Sequence, residues 1–367
     1  MKEAIVDKEA SVSIVDSPIP QPGTGEILIK VVVSGTNPKD WKVPAWTSQS
    51  ANTGDDVAGI VEAVGEGVYG LHKGDRVAAL HQPMQPSGSF AEYAIAPQYT
   101  TFPLPDSTSF EQGATIPLAA YTAVVAIFYR LEFPSPWDTA IRRTETSIKH
   151  APQRRPLVIY GASTALGAFG IKLAQAAGIH PIIAVGSKNS EFVSPFLDSA
   201  KGDCIVDYTA HKTDEKLIDA IKLALEKAGS KDGRTFDAFD CVSAEKTTKL
   251  LTKLMAGEPH ANGRKPRVTV ILPVEDKNSE DSVEVVRTEI GLVYSQTDNE
   301  KGAKLFGLIW GQAFASGLAE GWLTAHPYEV QKGGLAGLES GLKGLRDGTV
   351  RAKKILVRPG ETVGAIA

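Results

Sequence analysis

Cysteine is almost missing: two residues in 367, at positions 204 and 241. That excludes a disulfide scaffold and any site built on four thiolates. Histidine is sparse as well, at 72, 81, 150, 180, 211, 260 and 326, with no spacing that suits a metal ligand set. No excess of one charge is present. The 39 Lys+Arg and 43 Asp+Glu leave a formal net charge of −4, which offers no footprint for nucleic acid or an anionic membrane. No run of 18 consecutive apolar residues occurs, so no spanning helix is expected. The opening residues, MKEAIVDKEASVSIVD, mix acids with bases and do not read as a signal peptide, so the expected location is cytoplasmic. What is present is 42% hydrophobic and 22% charged residues, the composition of a globular chain. At roughly 100–200 residues per domain, two domains are expected. The 35 glycines and 22 prolines argue against a helical bundle.

Up to about Pro105 the pattern is one of short strands, at 4–6, 11–15, 27–33, 60–64, 76–80 and 90–95. Turn chemistry separates them, as in Gly65-Glu66-Gly67, Lys73-Gly74-Asp75 and Pro86-Ser87-Gly88. Many short strands at close spacing predict a β-barrel-type domain. Helical signals follow at 110–114 and 119–128, then a proline-rich stretch over 133–156. It carries Arg142, Arg143, Lys149, Arg154 and Arg155, a solvated basic loop or an anion contact. From Pro156 strands and helices alternate: strands at 157–160, 182–185, 204–206, 238–242 and 268–272, helices at 164–177, 215–228 and 245–255. Alternation of this kind predicts a doubly wound parallel sheet. A helix over 305–320 and a strand over 352–357 end the chain. The expected domains are 1–125, 126–300, and 301–367 returning to the first. Cys204 and Cys241 fall on strands expected to be neighbours, as buried unreactive thiols.

The strongest local signal is Leu157-Val158-Ile159-Tyr160-Gly161-Ala162-Ser163-Thr164-Ala165, a strand running through a glycine turn into a helix. First-turn N–H groups and the helix dipole suit a pyrophosphate there, with Ser163, Thr164 and Ala165 against it. Gly167 or Gly170 would let the helix lie close to the sheet. A ligand-free strand–turn–helix uses the same residues. The second strand ends Gly186-Ser187-Lys188-Asn189, without the acid that binds a ribose 2′-OH in NAD sites. A hydroxyl beside a cation suits a 2′-phosphate, so the expected cofactor is NADPH, with Ser187 and Lys188 as its contacts. The alternative for that pair is a helix cap and a solvated lysine.

Further marks are Asn37-Pro38-Lys39-Asp40, Gly54-Asp55-Asp56-Val57-Ala58-Gly59, Gly74-Asp75-Arg76-Val77, Gly88-Ser89-Phe90-Ala91-Glu92-Tyr93 and Lys353-Lys354-Ile355-Leu356-Val357. In this order and spacing the chain resembles the medium-chain dehydrogenase/reductase superfamily over nearly its whole length. That resemblance implies an α/β fold, a GroES-like β-barrel-type catalytic domain with a Rossmann nucleotide-binding domain. Zinc alcohol dehydrogenases of that superfamily place Cys near Thr36 and Gly-His-Glu near Gly54-Asp55-Asp56. Neither set is here, so the resemblance is to the zinc-independent, quinone-oxidoreductase-like branch. The segments Asn37-Pro38-Lys39-Asp40-Trp41-Lys42 and Pro117-Leu118-Ala119-Ala120-Tyr121-Thr122 look most like fungal trans-acting enoyl reductases that partner polyketide synthases.

The implied activity is NADPH-dependent reduction of an activated C=C bond in a small or carrier-bound enoyl substrate. A quinone or small-enone reductase is the alternative within enzymes, and a non-catalytic NADPH-binding partner protein the alternative outside them. Some enoyl reductases of the superfamily use a tyrosine just after this segment, but 42–52 holds Trp46 and no tyrosine. Lys42 is a candidate for the enolate oxygen, for a nicotinamide ribose contact, or for a snorkelling surface lysine. Thr122 is a candidate for the nicotinamide end or for a hydroxyl bonded back into its helix. The resemblance puts Asn37 at the nicotinamide ribose and Asp40 on loop N–H groups. Tyr208 is expected near the adenine or 2′-phosphate, Val242 and Ser243 at a ribose, and Ile271, Leu272 and Pro273 along the nicotinamide cleft. Monomer and sheet-edge dimer both remain open.

Overall fold

The computed structural model describes residues 1–138, 155–259, 263–274, 281–295 and 302–366, and the side chains of Lys188 and Asn189 are outside that description. The basic positions Arg142, Arg143, Lys149 and Arg154 also lie outside the described residues. The chain divides into two compact units, Met1–Tyr121 with Ile290–Ala367, and Thr122–Glu289.

The first unit begins with a hairpin of β1 (Lys2–Val6) and β2 (Val12–Asp16), then β3 (Glu26–Gly35). A helix not foreseen in the sequence, α1 (Lys39–Thr47), follows, because Pro44 lies inside it and masks its signal. Proline has no N–H to give the Asp40 carbonyl four residues earlier. The Thr53 hydroxyl donates to that oxygen instead, at 2.9 Å. Next come β4 (Asp56–Val64), β5 (Arg76–Leu80), β6 (Tyr93–Pro97) and β7 (Thr101–Pro103), then α2 (Phe110–Gly113) and α3 (Pro117–Val124), which runs on to Arg130. Strand β6 starts at Tyr93 and not at the expected 90. The helical stretch Phe110–Arg130 is apolar enough to cross a membrane by length and composition, although no consecutive apolar run announced it. In fact 72% of its window is buried inside the protein, as in a core helix.

The second unit holds β8 (Leu157–Tyr160), α4 (Ala165–Ala176), β9 (Ile182–Gly186), β10 (Cys204–Asp207) and α5 (Asp214–Lys227). It continues with β11 (Asp237–Asp240), α6 (Glu245–Met255), β12 (Arg267–Val270) and β13 (Glu284–Arg287). The six strands form a parallel sheet in the order β10-β9-β8-β11-β12-β13. Its buried strands and the helices α5 and α6 share one core, with Val158, Ile183, Ile221, Leu251 and Val268 inside. Strand order reverses between β8 and β11, so Cys204 and Cys241 are not on neighbouring strands: β9 and β8 stand between them. Sequence adjacency misleads here because the chain switches sides of β8. Burial raises the pKa of both thiols.

The chain then returns to the first unit as α7 (Ala303–Glu320), β14 (Tyr328–Val330), α8 (Leu338–Arg346) and β15 (Lys354–Val357). The seven-stranded sheet there runs β14-β15-β3-β4-β5-β7, with β6 also paired to β3. Through β15 the C-terminal segment lies antiparallel to β3, Leu356 against Gly35 and Val357 against Ser34.

Candidate active site

In the second unit, register brings the candidate cofactor residues to one sheet edge. Tyr160 is opposite both Val185 and Asp240, Asp240 is opposite Val270, and Asp207 is opposite Gly186. In a parallel sheet all strands end at the same edge. The residues that follow, Gly161, Ser187, Tyr208, Cys241 and Ile271, therefore stand side by side, and Val242 comes one residue later, close to Gly161. The β8–β11 reversal makes this edge a switch point, where open α/β sheets bind ligands.

Gly161 leaves β8 with φ +87°, a conformation that disfavours side chains. The helix α4 begins at once. Its N-cap Thr164 accepts from the Gly167 N–H at 3.0 Å, while its hydroxyl donates to the Gly161 carbonyl at 2.8 Å. A Cβ on Gly167 would lie 2.4 Å from that same carbonyl, so Gly167 sets the close approach of helix and turn. Gly170 does not: a Cβ there would meet Phe239 and Ile159 at ordinary contact distances. Ser163 and Ala165 flank the cap, half-buried. A glycine turn, small residues and outward N–H groups of a helix start fit the pyrophosphate of a dinucleotide.

At the end of β9, Ser187 is half-buried and its carbonyl accepts from the Ser190 N–H at 2.8 Å. Lys188 opens the following turn, Lys188–Phe196. Tyr208 is 37% exposed and stacks on Tyr160 with ring centroids 6.2 Å apart, a flat aromatic surface beside the turn. Strand β11 ends at Asp240, two residues short of the expected bound, because that carboxylate folds the chain back on itself. It accepts from the N–H groups of Val242 and Ser243 and from the hydroxyls of Thr247 and Thr248. Burial raises its pKa despite these donors. Ser243 donates to the Asp240 carbonyl at 2.8 Å and accepts from the Ile271 N–H at 2.7 Å, tying the ends of β11 and β12 together. Val242 is 38% exposed, and Ile271, Leu272 and Pro273 follow β12 in irregular backbone. Thr122, half-buried on α3, is the first residue of this unit.

The first unit carries the other candidates around α1. The Asn37 amide is committed to the fold at both ends: it donates to Asp56 at 2.7 Å and accepts from Lys354 at 2.9 Å. Lys354 also pairs with Asp56 at 2.5 Å, and Asp56 accepts from the Leu118 N–H at 2.6 Å. Beside this network Lys39 lies 2.6 Å from Asp55 and 3.0 Å from Asp40, and donates to the Thr53 carbonyl. Asp40 also accepts from the Asn37 N–H at 2.7 Å. Burial pushes Asp40 up to about 7 and Asp55 up to about 6, with Lys39 opposing both shifts. Burial works against charge on Lys39, but the two carboxylates outweigh it and hold its pKa above the usual range. The acids near the position where zinc enzymes place ligands are thus each paired with a lysine of this chain. Sequence reasoning passed over Lys39, Asp56 and Lys354 as site residues; their partners are up to 317 positions away.

Lys42 is half-buried on the same helix, its Nζ 5.7 Å from the centroid of the Trp41 ring, and burial lowers its pKa. Among the described residues no group of three His, Cys, Asp or Glu side chains is arranged to hold a metal ion.

Comparison with known proteins places these features in context. The family model for the alcohol dehydrogenase GroES-like domain matches residues 23–106. Trans-enoyl reductase fsr4 of Gibberella fujikuroi is 38% identical over 336 residues, covering 91% of each chain. Among solved structures, the CurK enoyl reductase superposes with a TM-score of 0.70 at 16% identity, covering 97% of this chain and 98% of its own. The mycobacterial protein Rv1454c complexed with NADPH gives 0.68 at 19% identity, covering 98% of this chain and 100% of its own. These two likenesses speak to the fold.

Proposed function

The chain belongs to the trans-enoyl reductases of the medium-chain dehydrogenase/reductase superfamily, and from that premise we propose that it reduces the C=C bond of an enoyl thioester with NADPH. The observation that carries this reading is the extent of the likeness to a protein named a trans-enoyl reductase, nine-tenths of both chains. The cofactor is supported by the glycine turn at the switch point, where a Cβ on Gly167 would strike the Gly161 carbonyl. It is supported also by the lack of any acid in Gly186-Ser187-Lys188-Asn189.

Ser163, Thr164 and Ala165 would hold the pyrophosphate, Ser187 and Lys188 the 2′-phosphate, and Tyr208 the adenine side. Val242 would stand at a ribose, and Ser243 holds the β11 and β12 ends in register beneath it. Ile271, Leu272, Pro273 and Thr122 belong with the nicotinamide end. When bound, the cofactor supplies hydride for the β-carbon. Lys42 stabilises charge that grows on the thioester oxygen by donating a hydrogen bond, a contribution larger in the transition state than in the ground state. Its lowered pKa also makes it a better proton donor than a solvated lysine, and the proton it gives up goes to the α-carbon, which completes the reduction. Asn37 acts differently: locked between Asp56 and Lys354, it fixes the backbone from which α1 starts. The carrier domain of a polyketide synthase is the proposed source of the thioester.

The test is NADPH oxidation with an enoyl thioester panel, alongside free enones and quinones, for the unmodified protein and Lys42→Ala. Removing one such donor typically costs about a hundred- to a thousand-fold in turnover. Lys42→Ala should show that loss with NADPH affinity changed no more than a few-fold. Turnover of quinones but not thioesters would replace this reading with the quinone-reductase one. Retained turnover in Lys42→Ala would remove Lys42 from the chemistry.

A further inference from the structure

The first unit contains a cavity of about 480 Å³ between the β1–β2 hairpin, α1 and the loop that follows β5. Its size is that of a small-molecule site. Much of its polar wall is already spent on the fold. Glu3 accepts from Asn52 at 3.1 Å and from the Ser17 hydroxyl at 2.5 Å. The Asn52 amide oxygen accepts from the N–H groups of Gly54 and Phe90, both at 3.2 Å. Lys39 is taken by Asp55, Asp40 and the Thr53 carbonyl, and the Thr53 and Thr47 hydroxyls donate to the carbonyls of Asp40 and Val43. The Met1 ammonium donates to the Ser17 carbonyl at 2.7 Å, Gln49 and Gln85 are exposed to solvent, and Ser87 is half-buried. The apolar lining open to an occupant is Pro18, Pro20, Val43, Ala51, Met84 and Pro86.

A polar ligand would find few free partners there and would lose its own hydration. A hydrocarbon chain strips nothing from the wall, and methionine adapts to chains of different shape. The rim carries strain as well. Met84 and Ser87 have φ of 66° and 69°, left-handed conformations in non-glycine residues. Met84 is also exposed. Strain of this kind gathers at ligand clamps. The strained loop is held in place by His81, whose ring nitrogens lie 2.7 Å from the Ile95 carbonyl and 3.0 Å from the Gln85 carbonyl. Lys39 and Val43 line the cavity, and Lys42 lies between them in sequence on α1. An occupant is therefore within a helical turn of Lys42.

We propose that this cavity takes the hydrocarbon chain of the acyl substrate, and so selects thioesters by chain length. The proposal rests on the enoyl-reductase reading. It is tested by calorimetric titration of the full chain with butanoyl- and dodecanoyl-pantetheine, saturated thioesters that cannot be reduced. Burying eight further methylenes should tighten binding at least about a hundred-fold. Val43→Trp, which fills the cavity, should cut that preference below about ten-fold and leave butanoyl affinity unchanged. Met84→Trp, at an exposed rim residue, should do the same and guards against a folding defect at position 43. Equal affinities in the unmodified protein, or a preference retained in both variants, would overturn the proposal. NADPH oxidation with 2-butenoyl-pantetheine, run in parallel, separates the two readings. Reduction without chain-length preference removes the cavity's role alone, whereas preference without reduction removes the reductase reading and leaves the cavity an acyl-chain site.

Discussion

Replacing Lys39 by methionine keeps its length and removes its charge, and the consequence should depend on pH. In the native fold the ammonium sits 2.6 Å from Asp55 and 3.0 Å from Asp40, whose side chains are 1% and 0% exposed. Without it, two buried carboxylates face each other with no cation between them. Breaking a buried pair by removing one partner costs about 3–5 kcal/mol. In a unit of this size that lowers the melting temperature by roughly 6–20 °C. The carboxylates can escape the cost by taking up protons. Their native pKa values already stand near 7 and 6, against 3.8 for an ordinary aspartate, and losing Lys39 moves them further up. A raised carboxylate means the folded state binds more protons than the unfolded one above pH 3.8. Stability contributed by these groups is then fully present at low pH and lost as pH rises through the folded pKa. The difference between Lys39→Met and the unmodified protein should be largest at pH 8.5 and much smaller at pH 5. Thermal unfolding followed by circular dichroism at both pH values measures it. A difference independent of pH, or larger at pH 5, would refute the argument.

Three other outcomes are expected. Lys188→Ala should weaken NADPH about ten-fold or more, since one charge-assisted contact is worth about 1.5–3 kcal/mol, and should leave NADH affinity nearly unchanged; equal affinities for both cofactors in the unmodified protein would contradict the 2′-phosphate assignment. Gly167→Ala forces the turn away from its present position and should cost about 1–3 kcal/mol of stability together with most NADPH binding, read by melting with and without cofactor. Chelator treatment should change neither melting temperature nor activity, because Asp55 and Asp56 are held by Lys39 and Lys354; stoichiometric zinc in the purified protein would defeat that expectation.

Much of the second unit could be read along the chain because its signals are local. Strand 157–160 and helix 245–255 agree with the structure at both ends, since a buried apolar run or a 3.6-residue period is complete within its own segment. The glycine turn is likewise local, although Thr164, expected as the first helical residue, is the cap before it. Missing from the sequence reading are α1, which contains Pro44, the short strands Thr101–Pro103, Glu284–Arg287 and Tyr328–Val330, and the helix Leu338–Arg346. Tertiary structure alone decided which strands are neighbours, and hence that Cys204 and Cys241 stand apart. It alone paired Asn37 with Lys354 and Lys39 with Asp55. It alone enclosed a cavity whose wall draws on the hairpin, α1 and a loop near residue 85. Periodicity and turn chemistry act over a few residues, and one sequence carries them openly. Ion pairs, strand order and cavities depend on which distant segments meet, and that is set only when the whole core packs.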